Sequence, residues 1–420
     1  MAWVRDFPGT EQKLPAPSPA AVEVFPLPPA ARRVNGWNAI LEQPPVITMG
    51  LIAACAAMLA VTSAQGGLED PSVLCAHGAK VAERIARGEG WRVVTANFLH
   101  GGLTHLLCNA IGLLVLGRMC ENIFGRSAFL ALVVATGISA QGLSTLLVPA
   151  VSVGISGPIF GILGALIAFH VRHRSEVPPM HRGTLLALVV WTGWSLASGF
   201  FDPEMDNWAH TGGLLGGLVL GGFIPAPQVS EGTPPCRRRV HVIMGFAATG
   251  VVVLSCTLQV MTSLRPRVMV AYLHLPGGFR IDHPDDWTVT RLLDQDSIEI
   301  SDHVGGRVFV GRMDRWSDDL GENTQGAVRT LVEGLAQASL AGMPGFVSSR
   351  AASRSVDAAG RTWFRLQASA TATRGQDIEQ RIDATYAGGH VYFVIAVSPK
   401  GAWQRYRPAF DRILSSFELP

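Results

Sequence analysis

The sequence predicts an all-α polytopic membrane protein followed by a soluble α+β domain. Three observations carry that reading. The chain has 420 residues, of which 48% are hydrophobic and 16% charged, whereas a soluble chain carries about a quarter charged residues. The charges are also unevenly spread: apolar runs dominate from about Val46 to Leu264, and charged residues are regularly interspersed from Arg265 onward. Beyond about Val268 the apolar pattern changes from long runs to short alternating segments, the period of half-buried strands.

Residues 1–45 come first. They are rich in Pro and Ala, carry Arg5, Lys13, Arg32 and Arg33, and lack the apolar core of a signal peptide. They are expected to form a cytoplasmic, mostly disordered segment. Crossing the hydrocarbon layer takes about 20 apolar residues in a helix. Seven segments meet or approach that length, at about 46–64, 103–120, 128–148, 155–171, 184–201, 208–224 and 240–263. Several are short and contain Gly or polar residues, which suits helices buried in a bundle. The expected organisation is a core of six transmembrane helices over 46–225, a basic cytoplasmic linker and seventh helix over 226–264, and an extracytoplasmic α+β domain over 265–420.

The flanking charges orient these spans. Arg118, at the end of span two, and Arg126 flank the turn between spans two and three, Arg172, Arg174 and Arg182 follow span four, and Arg237, Arg238 and Arg239 precede span seven. All fall on one side, with the basic N-terminal segment, if the chain crosses seven times, and that side is cytoplasmic by the positive-inside rule. The long loop between spans one and two is the exception, with Lys80, Arg84, Arg87 and Arg92 balanced by Glu69, Asp70, Glu83 and Glu89. The expected location is a bacterial inner (plasma) membrane. A net charge of +2 gives no case for nucleic-acid binding. The six cysteines include no CxxC pair and read as single buried thiols.

Strongly polar side chains inside a span are costly and mark function by default. His105 and Asn109, in HLLCN, are four residues apart and share one face of span two. Ser156, in GISGPIFG, opens span four, and His210, in NWAHTGG, opens span six. Pro158 fits only the first turn of a helix, so span four begins at about Ser156. From there to Val171 it runs only about 24 Å, which leaves Ser156 below the outer surface, preceded by irregular backbone beside a wet cavity. At a helix N-terminus the free N–H groups and the dipole favour negative charge, as an oxyanion site requires. Phe160 lies one turn on, facing either the imidazole or the core. Gly213 and Gly217 let span six approach another helix closely, and approach to span four brings His210 to Ser156. A serine needs such an adjacent base. Asp202, Glu204 and Asp206 read as solvated loop charges, so a dyad without a carboxylate is expected. Gly157, Gly161 and Ala165 have the small-residue spacing of helix packing and, taken alone, imply nothing more.

These elements in order, WR at Trp91–Arg92, HGGLTHLLCN at His100–Asn109, E-x-x-x-G at Glu121–Gly125, GISG at Gly154–Gly157 and AHTGG at Ala209–Gly213, resemble the rhomboid intramembrane serine proteases. The resemblance implies a six-helix core with a Ser156–His210 dyad. It implies an oxyanion site of Asn109, His105 and the Ser156 backbone N–H, with Phe160 packed on the histidine. Gly154, Gly157, His100 and Gly213 match supporting positions, and Trp91, Arg92 and Glu121 match positions that hold the fold. The implied partners are single-span transmembrane substrates within a lipid bilayer, with no metal or cofactor. The histidines lack metal-ligand spacing. Pro158 stands where the family more often has a small residue, and the seventh span and residues 265–420 lie outside the resemblance. The rival readings are a non-proteolytic rhomboid-like scaffold that binds transmembrane clients, and a transporter. The latter would show polar groups at all depths and repeated halves.

In the C-terminal part, FRIDHPDDWTV, SIEISD and GRVFVGRM read as strands, Thr324–Ala341 as an amphipathic helix and about Trp403–Ser415 as a final helix. RTWFRLQASATA and QRIDATYAGGHVYFVIAVS add further strands, with a hairpin signal at the paired glycines. Trp287, Trp316, Trp363 and Trp403 are expected in the core. The arrangement faintly resembles PsbP/Mog1-like domains.

Overall fold

A computed structural model describes residues 43–65, 71–175, 183–202, 205–225, 235–265, 267–293, 296–302, 304–313, 324–339, 346–348, 352–357, 360–371 and 377–419. The N-terminal segment, except for its last three residues, and most of the basic linker lie outside the described residues.

Each apolar run forms a helix: α1 Val46–Ala64, α2 Leu103–Phe124, α3 Arg126–Leu147, α4 Ser156–Arg172, α5 Gly183–Gly199, α6 Asn207–Phe223 and α7 Pro235–Leu264. By length and composition, α1, α2, α3 and residues Arg239–Leu264 of α7 can each cross a membrane. The other three have 17 residues each. α2 continues four residues past its expected end through a π turn at Leu113–Gly117 and stops at Gly125, whose φ of 84° suits glycine. Its last turn holds Glu121, 2% exposed, which accepts the backbone N–H groups of Ile47 and Thr48 at 2.9 Å each and the Thr48 hydroxyl at 2.8 Å. The free donors and positive dipole end of α1 explain a carboxylate at this depth.

α4 is the centre of the bundle. Every residue from Gly157 to Leu166 is buried, as expected for a helix that is apolar all round. Its tightest neighbour is α6, because glycines meet backbone there. A β-carbon at Gly213 would collide with the Gly157 carbonyl, one at Gly217 with the Gly161 carbonyl, and one at Gly221 with Ala165. The small-residue spacing of both helices is therefore a packing seam, and the same seam fixes the height of α6 against α4.

Between α1 and α2 the chain folds into short helical turns at Pro71–Ala76, Ala82–Ala86 and Arg92–Thr95. Arg92, buried under the Trp91 ring, donates to the Cys75 and Ala79 carbonyls at 2.8 and 2.9 Å and pairs with Glu89 at 2.6 Å. This loop lies against the end of the bundle where α4 begins, through backbone pairing of Lys80 with Ser152.

The C-terminal part is an α+β domain. β1 Met269–His274 and β2 Phe279–Pro284 form an antiparallel pair. The second sheet comprises β3 Thr288–Arg291, β4 Ser297–Ser301, β5 Arg307–Met313, β6 Val347–Ser348, β7 Ser353–Val356, β8 Thr362–Thr371, β9 Asp377–Ala387 and β10 His390–Pro399. Its order is β3-β4-β5-β10-β9-β8-β6, all antiparallel, with β7 also on β8. Gly388 and Gly389 supply the two positive φ angles of the tight turn between β9 and β10. Alternation along β8 and β10 sends Trp363, Tyr392 and Val394 to one face and Phe364, Leu366 and Val391 to the other. Helix α8, Thr324–Ser339, covers the second face and α9, Trp403–Ser415, the first. Trp287, Trp363 and Trp403 are buried; Trp316 lies outside the described residues.

One sequence expectation is corrected for the thiols. Cys55, Cys75 and Cys120 are buried, but Cys108 and Cys256 are exposed, since an apolar run that forms a helix buries only part of its circumference. Cys236 lies in a part of α7 whose side chains are outside the description.

Candidate active site

The segment before α4 brings Ser156 to its position. Gly154, at φ 122°, donates its N–H to the Ala96 carbonyl at 3.0 Å. Ile155 caps the helix, Ser156 is its first residue and Pro158 occupies the first turn. Proline there removes an N–H that has no intrahelical acceptor, so the helix start is fixed without loss. The backbone N–H groups of Ser156 and Gly157 belong to the helix's unsatisfied first turn. Ser156 itself is half-buried.

His210 sits in the first turn of α6, and here the structure corrects the sequence reading of Asp206. That residue is not a solvated loop charge. It caps α6, one carboxylate oxygen accepting the Ala209 N–H at 2.9 Å and the other the Ser144 hydroxyl. Glu204 lies outside the described residues. With the cap and the glycine seam both fixed, His210 Nε2 is 3.0 Å from Ser156 Oγ. The Phe160 ring stacks on the imidazole, with centroids 4.2 Å apart and planes 14° from parallel. His210 is 5% exposed, and its Nδ1 has no hydrogen-bond partner among the described residues. The carboxylate nearest in sequence is engaged by the helix cap and by Ser144.

Two further expected residues come together at Gly154. A β-carbon there would lie 2.9 Å from His105 Nε2 and 3.7 Å from Asn109 Nδ2. The strand-like approach to Ser156 is thus flanked by both side chains, and only glycine tolerates the contact and the positive φ together. Asn109 is 7% exposed and its Nδ2 is buried without a partner among the described residues. A buried amide donor left unpaired costs about 1–3 kcal/mol, which a binding site recovers when an acceptor arrives.

His100 is fully buried beside His105, with ring centroids 5.0 Å apart and edge-to-face geometry. Burial, and then the neighbouring His105, push its pKa down to about 4, against the opposing Phe98 carbonyl. Unfolded, it titrates near about 6.5. Between those values the unfolded chain binds more protons, so stability is full above the upper value and is lost as pH falls towards the lower. The expected loss is on the order of 3 kcal/mol. The check is the fall in thermal midpoint between neutral pH and pH about 4.5, which is expected to shrink in H100Q by the His100 share.

Lys80, Ser139 and Ser144 belong to the surroundings of the site without having been expected there. Ser139 donates to the Gly212 carbonyl at 2.5 Å. Asp206 carried a readable signal, an N-cap residue just before an apolar helix; Lys80, a single lysine in a loop of mixed charge, carried none. A cavity of about 430 Å³ lies at the far end of the bundle, lined by Glu121, Arg126 and His241 among others, and is separate from Ser156. Among the described residues, no group of three or more His, Cys, Asp or Glu side chains could hold a metal ion.

The rhomboid domain family model matches residues 87–226, the stretch that contains His100, His105, Asn109, Ser156, Phe160 and His210. Rhomboid protease GluP of Bacillus subtilis is 33% identical over 184 residues, covering 44% of this chain and 36% of GluP. RHOMBOID-like protein 5 of Arabidopsis thaliana is 35% identical over 147 residues, 34% of this chain and 47% of that protein. This chain therefore spans less than half the length of these curated relatives. The rhomboid protein YdcA of Bacillus subtilis is 30% identical over 138 residues, 32% of this chain and 68% of YdcA. Among solved structures, the cyanobacterial PsbP protein of Synechocystis aligns with 37% of this chain and 95% of its own, at 16% identity and a TM-score of 0.29. Apolar helices, glycine seam and sequence matches agree, and the chain belongs to the rhomboid family of integral membrane proteins.

Proposed function

We propose that the protein is a serine endopeptidase that cleaves peptide bonds in or near transmembrane segments of membrane-anchored proteins. The observation that carries the reading is the 3.0 Å approach of His210 Nε2 to Ser156 Oγ under a stacked Phe160. A hydroxyl is a weak nucleophile at neutral pH, and a base in hydrogen-bond contact removes that limitation.

The reaction runs in two halves. Ser156 Oγ attacks the scissile carbonyl carbon while its proton passes to His210 Nε2. The negative oxygen that forms lies between Asn109 Nδ2, His105 and the Ser156 N–H. Collapse of this tetrahedral species breaks the C–N bond, and His210 returns the proton to the departing amine. Water then attacks the acyl-serine, His210 again takes and returns a proton, and the carboxylate product leaves with Ser156 restored. Phe160 holds the imidazole plane throughout.

Asn109 is the donor best suited to the oxyanion, since its amide is buried and unpaired among the described residues before substrate arrives. N109A is expected to lower kcat by about 100-fold with little change in KM, because the bond is made chiefly in the transition state. Steady-state kinetics in vesicles separate the two constants.

The flanking charges support an orientation with α1 entering from the cytoplasm and residues 265–420 outside it. In that orientation Ser156 opens towards the extracytoplasmic side, and 46–225 is the protease core. The test is co-expression with a single-span membrane reporter: cleavage is expected with the native chain and absent with S156A. A scaffold that only binds clients predicts the same reporter pattern for both.

A further inference from the structure

The residues that place Ser156 extend beyond α4. The segment Val148–Ile155, which joins α3 to the nucleophile, has little regular structure of its own. A lysine 68 residues earlier in the chain bonds to it. Lys80 Nζ donates to the Val148 carbonyl at 2.6 Å and to the Ala150 carbonyl at 2.8 Å. The Lys80 backbone pairs with Ser152 in both directions, at 3.0 and 3.2 Å. One residue therefore holds three alternate positions of the segment, and the next residue but one after Ser152 is Gly154, where a β-carbon would meet His105 and Asn109.

Lys80 is fully buried. Burial pushes its ammonium below the usual lysine range, and the negative charges of Asp206 and then Glu83 oppose that shift. Asp206 is the cap of α6, the helix that carries His210. A buried ammonium is a poor way to gain stability, because its desolvation costs several kcal/mol. Val148 is also the C-cap of α3, so part of the role is to satisfy a helix carbonyl. That need could be met by a single donor; the second carbonyl and the backbone pairing fix register as well.

Resting on the Ser156–His210 reading above, we propose that Lys80 is a positioning residue for the reaction, holding the segment that leads into Ser156 at the height where serine, histidine and oxyanion donors coincide. It touches neither the substrate nor the reacting atoms. Its loop is itself held from the other side by the C-terminal domain. Arg87 donates to the Asp286 carbonyl at 3.0 Å and to the Thr288 hydroxyl, and Arg405 donates to Ser72 Oγ at 2.8 Å.

The test compares K80M and K80Q with the native protein and S156A in lipid vesicles, using a single-span reporter and thermal unfolding. K80M keeps an unbranched apolar stem and removes the donors, and K80Q keeps an amide donor; both side chains are shorter than lysine by one bond. A displacement of the nucleophile segment by about 1 Å costs on the order of 100-fold in rate. The expected result is a fall in kcat of about 30-fold or more for K80M at a KM within about threefold of native. K80Q is expected to fall between K80M and native. A folded K80M with native kcat, or one whose loss lies wholly in KM, overturns the proposal. If K80M does not fold, K80Q decides alone, and a native kcat in K80Q overturns it. Retained cleavage in S156A overturns the dyad reading itself and this inference with it, whereas a silent S156A beside a fully active K80M overturns only the role of Lys80.

Discussion

Replacing Ser156 with Ala is expected to lower kcat for reporter cleavage by at least about 10³-fold, since loss of a serine nucleophile that works with a histidine base costs up to about 10⁶-fold. H210A is expected to cost about as much, because each residue is useless without the other. Its base lies 3.0 Å from the serine oxygen, and no second base contacts that oxygen among the described residues. The decisive quantity is the double variant. Residues that act as one unit are strongly non-additive, so S156A/H210A is expected to be no slower than either single variant within about threefold. Rates in vesicles for the three variants and the native chain make the cycle. Losses that multiply would mean that the two side chains work separately and would overturn the proposed dyad.

The second large effect concerns the seam that brings the two residues together. Gly217 faces the Gly161 carbonyl so closely that a β-carbon has no room. G217V therefore must push α6 away from α4, and no flexible side chain is there to yield. The expected cost is about 3 kcal/mol or more, at the upper end for overpacked cores. It should appear as a lower thermal midpoint and less protein in the membrane. Gly222, on the same helix, has open space where a β-carbon would go. G222A is expected to be neutral or to gain about 0.5–1 kcal/mol from helix propensity. The pair separates close approach from a general intolerance of substitution in α6. A seam displaced even slightly also carries His210 away from Ser156, so residual folded G217V should be slow as well as unstable.

Much of this architecture was legible because membrane helices leave long apolar runs. Seven runs gave seven helices, and Pro158 located the start of α4 because proline is compatible with few other positions. The glycine spacings of α4 and α6 were readable as close approach, and HLLCN was readable as two polar groups on one helical face. In the C-terminal domain the paired glycines gave the hairpin between β9 and β10, and the final helix ran over its expected residues.

What was not legible depends on contacts distant in sequence. Lys80 sits among Glu83, Arg84 and Arg87, and nothing in that mixture says that one cation is fully buried on two carbonyls. Asp206 looked like a loop charge because its neighbours are polar, yet the helix that follows needed a cap. The π turn in α2 extends that helix to Glu121, so the carboxylate reaches the start of α1. Strands β1, β6 and β7 were not among the expected strands: β6 has only two residues, β7 is exposed along its whole length, and β1 buries only its last residue fully. The contacts between the loop after α1 and the C-terminal domain, through Arg84, Arg87 and Arg405, also have no sequence signature.

Ser156 is proposed above as a nucleophile activated by His210. The most direct measurement is covalent labelling of the membrane-embedded protein by a serine-directed phosphonate probe, with the adduct located by peptide mass spectrometry. One modified peptide is expected, carrying the adduct on Ser156 and formed at least about 100-fold more slowly in H210A. An adduct elsewhere, or labelling of Ser156 at full rate without His210, would contradict it.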